Sequence, residues 1–85
     1  MHVVVRLEEP LWREVGAREV SLDLPEGSRV GDLLRQLAQT FPPLRPWLEG
    51  EEVPPLIFLD EAVADADVAL RDGARPILAW PLAGG

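Results

Sequence analysis

In Ala17-Arg18-Glu19-Val20-Ser21-Leu22-Asp23-Leu24-Pro25-Glu26-Gly27-Ser28-Arg29-Val30-Gly31-Asp32-Leu33-Leu34-Arg35-Gln36-Leu37-Ala38-Gln39-Thr40-Phe41 the apolar residues change their spacing once, and that change decides the fold. From Ala17 to Leu24 the side chains alternate. Val20, Leu22 and Leu24 fall on one face and Glu19, Ser21 and Asp23 on the other, as in a half-buried strand. Pro25-Glu26-Gly27 ends that strand. Ser28 is the expected helix N-cap, and Val30, Leu33, Leu34, Leu37, Ala38 and Phe41 follow at steps of three and four. They predict one helix from about residue 29 to 41, which Pro42-Pro43 stops. Gly31 is a poor helix former, so its place in the first turn points to close packing.

Working outward, His2 to Leu7 reads as a strand stiffened by three valines, antiparallel to the strand just described. Glu8 to Gly16 reads as a loop, with Leu11 and Trp12 covering an edge. On the other side, Pro42 to Pro55 is proline-rich, with a short helical turn at Leu44 to Leu48. Leu56-Ile57-Phe58-Leu59 reads as a buried strand. Asp60-Glu61 turns the chain into a brief strand at Ala62 to Ala64, and Ala66 to Leu70 reads as one helical turn. Asp72-Gly73 is a turn signal. The final strand runs from Arg75 to Trp80, with Pro76 at its first position, where a missing amide costs least. This order predicts an α+β domain: a mixed sheet of four to five strands with one main helix on one face. The first and last strands, both strongly apolar, are expected side by side at its centre. Residues 1–80 form the domain and residues 81–85 a flexible tail.

Composition narrows the function. Eighty-five residues suffice for one core. There are 15 acidic against 8 basic residues, a net charge of -7, and no basic stripe to meet phosphates, so nucleic acid is not the expected partner. No apolar stretch is long enough to span a bilayer, and the N-terminus does not read as a signal peptide, so a cytoplasmic location and no membrane partner are expected. Cysteine and lysine are both absent, and every cation is an arginine. No side chain can therefore carry a thioester or persulfide, or form a Schiff base.

The candidate groups are few. His2, the single histidine, sits at a strand end, and Ser21 and Ser28 are explained by a strand surface and a helix cap. No nucleophile–base constellation can be assembled, so no residue is expected to be catalytic. Asp65 and Asp67, with Asp60, Glu61 and Asp72 nearby, form an acidic cluster without the spacing of a cation loop. We expect no metal there, but a face suited to a basic partner. Ala79 and Trp80 precede the tail Pro81-Leu82-Ala83-Gly84-Gly85; Trp80 and Leu82 suit either packing on the sheet or an exposed binding patch. Two terminal glycines arise by chance at roughly 0.5%. Glycine lets a backbone thread a narrow channel and leaves the Gly85 carboxylate unhindered. The tail from Pro81 to Gly85 can reach about 17 Å at ~3.4 Å per residue, far enough to enter a buried site in another protein.

Three stretches resemble the MoaD/ThiS family of ubiquitin-like sulfur carriers: Ser28-Arg29-Val30-Gly31-Asp32-Leu33-Leu34, Leu70-Arg71-Asp72-Gly73, and Ile77-Leu78-Ala79-Trp80-Pro81-Leu82-Ala83-Gly84-Gly85. The last is similar to the ending of the small subunit of molybdopterin synthase. The resemblance implies a β-grasp fold and a carrier without catalysis or bound cofactor of its own. It implies that an E1-like adenylating enzyme of the MoeB/ThiF type spends ATP to activate Gly85, which then becomes a thiocarboxylate. Pro81, Leu82, Ala83 and Gly84 would enter the active site of a large synthase subunit of the MoaE type, with Ala79, Trp80, Asp65 and Asp67 as interface candidates. The product in that branch is molybdopterin. Thiamine thiazole formation, tRNA thiolation, cysteine synthesis and protein modification stand as alternative uses of the same ending, and a plain interaction domain as a third class.

Overall fold

A computed structural model describes residues 1–49 and 55–80. The elements are β1 (His2–Leu7), α1 (Leu11–Val15), β2 (Glu19–Asp23), α2 (Val30–Thr40), α3 (Arg45–Leu48), β3 (Leu56–Leu59), β4 (Ala62–Ala64) and β5 (Ile77–Ala79). A single 3-10 turn, Pro42–Leu44, joins α2 to α3. The strands form one sheet in the order β2-β1-β5-β3-β4. β1 runs antiparallel to β2 and parallel to β5, with Leu7 beside Leu78. β3 is antiparallel to both β5 and β4. The apolar first and last strands therefore meet at the centre, as their composition predicts.

Period-2 alternation sends Val3, Val5, Leu7, Val20, Leu22, Ile57 and Leu78 to one face of the sheet, where all are buried. The stripe of α2 supplies Val30, Leu33, Leu37 and Ala38 to the same core. Each leucine-sized side chain removed from water there contributes about 1.5–3 kcal/mol. β3 is less enclosed than its sequence suggests: only Ile57 is buried, because Leu56 and Phe58 lie on the uncovered face. β5 is shorter than expected. Pro76 stands just before it, fully buried, and its carbonyl accepts a hydrogen bond from the Arg6 N–H (2.9 Å).

Glu8 to Gly16 is not all loop. Leu11 is fully buried and anchors the short helix α1, which Gly16 ends in the left-handed conformation (φ 85°). Trp12 lies beneath two guanidinium groups, with Arg18 at 4.6 Å and Arg13 at 5.2 Å from its ring centre.

The start of α2 also departs from expectation. Ser28 does not cap it; the Ser28 hydroxyl donates to the Pro25 carbonyl (2.7 Å). Asp32 instead reaches back to accept the Arg29 N–H (2.8 Å). That bond, with Arg35 beside it, holds the Asp32 carboxyl below the ordinary aspartate range. The first N–H groups of the helix, which have no partner within it, find their acceptors in a distant segment: Val30 donates to Val68 (2.9 Å) and Gly31 to Ala66 (3.0 Å). Ala66 to Leu70 is accordingly a turn followed by extended chain, with Ala69 bridging Arg29, and not a helical turn. Gly31 is where the approach is tightest. A Cβ there would lie 3.4 Å from the Ala66 carbonyl oxygen and 3.5 Å from its Cβ.

Candidate functional site

The segment leading to the chain end is built into the centre of the sheet. Leu78 is fully buried, and its carbonyl accepts the Glu8 N–H (2.9 Å); Ala79 pairs with Leu56. Trp80 follows, half-buried, with its ring edge-on to Trp47 of α3 (5.1 Å between centres, 83° between planes). Sequence left Trp80 open between packing and an exposed patch. The structure packs it on the helix side, since Trp47 and Trp80 both rest against the core. The tail residues Pro81, Leu82, Ala83, Gly84 and Gly85 lie outside the described residues.

The uncovered face of the sheet begins beside that exit. Register and alternation place Val4, Leu56, Phe58, Val63, Ile77 and Ala79 on it, all half-buried except Val63, which is exposed. Sequence reasoning named Ala79 but missed Phe58, Ile77 and Val63, because a continuous apolar run does not say which face is covered. Charged pairs rim the patch. Arg6 lies 3.6 Å from Glu8, and Arg75 lies 3.9 Å from Glu19. At the same pole, the Arg13 guanidinium hydrogen-bonds Glu9 (3.1 Å) and lowers its pKa.

Asp65 and Asp67 are exposed but stand apart from this exit. The Asp65 carboxylate accepts the Asp67 N–H (2.9 Å), and the turn they form sits by the first turn of α2. Trp80 packs beyond the other end of that helix, about 16 Å away at 1.5 Å per residue. Asp72 is drawn elsewhere, accepting the His2 N–H (2.7 Å). His2 itself faces Asp23 (3.1 Å) at the end of the β1–β2 ladder. Among the described residues no group of three or more potential metal ligands occurs, and no helix is long and apolar enough to cross a membrane.

No protein-family model and no curated protein matches the sequence. Solved structures do match along its full length. SAMP1, the small archaeal modifier protein 1 of Haloferax volcanii, is 24% identical over 100% of both chains, with a TM-score of 0.86. A chain in the complex of subunits 1 and 2 of the Helicobacter pylori molybdopterin-converting factor is 26% identical over 100% of both, with a TM-score of 0.68. One in the BexX/CysO complex of Amycolatopsis orientalis is 16% identical, over 98% of this chain and 99% of that one, with a TM-score of 0.74. The chain has the ubiquitin-like β-grasp fold.

In this β-grasp domain the chemistry of the candidate site is divided. The described residues supply a rigid exit point, the half-exposed apolar face beside it, and a separate acidic turn. The described serines and histidine are tied into strand, turn and ladder contacts, with no nucleophile–base pair among them. Their arrangement leaves an apolar face beside the last described residue, Trp80, with the acidic turn set apart from it.

Proposed function

We propose that the protein is a sulfur carrier whose chemistry takes place at the Gly85 carboxylate. A partner adenylating enzyme joins that carboxylate to the α-phosphate of ATP and releases pyrophosphate. A donor of sulfide-level sulfur then attacks the acyl carbon, AMP leaves, and a thiocarboxylate remains. The loaded tail, Pro81 to Gly85, enters the active site of a large synthase subunit and gives up sulfur for molybdopterin formation. The observation that carries this reading is the placement of β5. A central strand runs directly to the exit at Trp80, so a tail without cysteine or lysine leaves a fixed point beside an apolar docking face. The likeness to a chain of the Helicobacter pylori complex supports a small subunit that works with a larger one.

A second reading rests on the likeness to the archaeal modifier protein. In it the activated Gly85 is joined to lysine side chains of other proteins. The absence of lysine here precludes chains of the modifier linked through its own lysines.

Intact mass spectrometry of protein recovered from its own cells tests both. A species heavier by the difference between sulfur and oxygen supports the carrier, and larger conjugates that isopeptide-bond hydrolysis converts back to the free protein support the modifier. If neither forms, and deletion of Gly85 leaves partner function unchanged, both readings fail.

A further inference from the structure

The sheet has two edges, and they are guarded differently. On β2 the outward side chains Glu19, Ser21 and Asp23 are polar and exposed. On β4 the strand is Ala62-Val63-Ala64, with no charge on it, and Val63 is 61% exposed. Among the described residues nothing pairs with the outer side of β4. Leu59 and Ala62 close a two-residue hairpin, so alternation turns the Val63 N–H and C=O outward. Val68, 38% exposed, extends the apolar surface past the strand end. An uncharged edge with an outward backbone donor and acceptor at its centre is what an incoming strand needs.

Charge selects the occupant. Asp60 and Glu61 stand exposed at one end of β4, and Asp65 and Asp67 at the other. A second copy pairing antiparallel about Val63 would set Glu61 against the Asp65 of its neighbour at both ends, and like charges across a ladder oppose pairing. A strand with cations at its ends meets attraction instead. Of the arginines near this edge, Arg75 is turned to Glu19 (3.9 Å), which leaves Arg71 as the nearby cation. We propose that β4 accepts an extended segment of another protein as an added strand, β-branched at its centre and carrying Lys or Arg at both ends. The inference does not depend on the reading of the Gly85 tail.

The test is an NMR titration of the full chain with the synthetic peptide Lys-Lys-Val-Thr-Val-Thr-Val-Lys-Lys and with its counterpart carrying Glu at the four end positions. Shifts centred on Ala62 to Asp65, slowed exchange of the Val63 amide, and binding at least ~10-fold weaker for the acidic peptide are expected, with the preference shrinking as salt rises. Val63→Pro removes the outward donor without touching the β3 ladder and is expected to abolish the response while shifts in β1, β2 and α2 stay in place. Glu61→Lys with Asp65→Lys is expected to reverse the preference between the peptides. The proposal is overturned by an absence of shifts at about 1 mM peptide. Equal binding of the two peptides, or shifts confined to Phe58, Ile77 and Ala79, overturns it as well.

Discussion

β2 and β4 are both edge strands, yet they differ in what holds them and in what they show to solvent. β2 pairs with β1 along five residues and buries Val20 and Leu22 in the core. β4 pairs along three residues and fully buries none of them. β2 is thus a structural wall with a polar outer side, whereas β4 is a light flap that leaves apolar surface and backbone groups available. The contrast teaches that a small domain can keep one edge for stability and leave the other free for partners.

The largest expected effect that could break this contrast is on the wall. Leu22→Ala should lower stability by about 2–5 kcal/mol, as core truncations do, read by urea unfolding. Val63→Ala in the flap should stay within about 0.5 kcal/mol. Similar losses at the two sites would refute the division of labour. The turn that carries β4 comes next. Asp60 (φ 49°) and Glu61 (φ 71°) occupy backbone conformations that favour glycine or asparagine. Glu61→Gly relieves about 1–2 kcal/mol of left-handed strain against a glycine entropy cost of roughly 0.5–1 kcal/mol, so it should stabilise the fold by up to about 1 kcal/mol in the same assay. A loss would mean that the Glu61 side chain holds the hairpin together.

A smaller effect is expected from acid. The folded-state pKa of Asp32 is lowered, first by the Arg29 N–H. Its contribution is therefore present above the unfolded-state pKa and is lost as pH falls through the folded value. Asp32→Asn should flatten that part of the stability profile, below the ordinary aspartate range, and leave β4 unaffected. An unchanged acid limb would show that the cap does not couple to folding. The smallest expected effect is in dynamics. The amides of β4 should exchange faster than those of β2, because fewer buried contacts hold them.

Much of the domain was legible because its signals are local. The alternation of Val20, Leu22 and Leu24 and the stripe from Val30 to Phe41 each need only neighbouring residues to be read. The central place of β1 and β5 followed from their apolar composition, and close packing at Gly31 from the oddity of glycine in a first helical turn. Residues 11–15 escaped because Pro10 and the charged residues around them hide a helix that depends on burying Leu11. Residues 66–70 were misread because Ala66, Ala69 and Leu70 favour a helical turn when judged alone. Trp80 could be placed only once Trp47 was seen beside it. The open-face residues Phe58, Ile77 and Val63 carried no mark of which side the helix would cover.

By itself, then, the sequence determined the order of the main elements, the core stripe, and a composition without cysteine or lysine that points the proposed chemistry to Gly85. The tertiary structure decided how α2 begins. Its first N–H groups have no partner within the helix, and the carbonyls of Ala66 and Val68 supply acceptors from more than thirty positions away. That demand pulls the segment out of a helical turn and sets Asp67 near the end of β4. Partners distant in the chain cannot be read from local periodicity, because the hydrogen bond that selects the conformation exists only after the chain has folded.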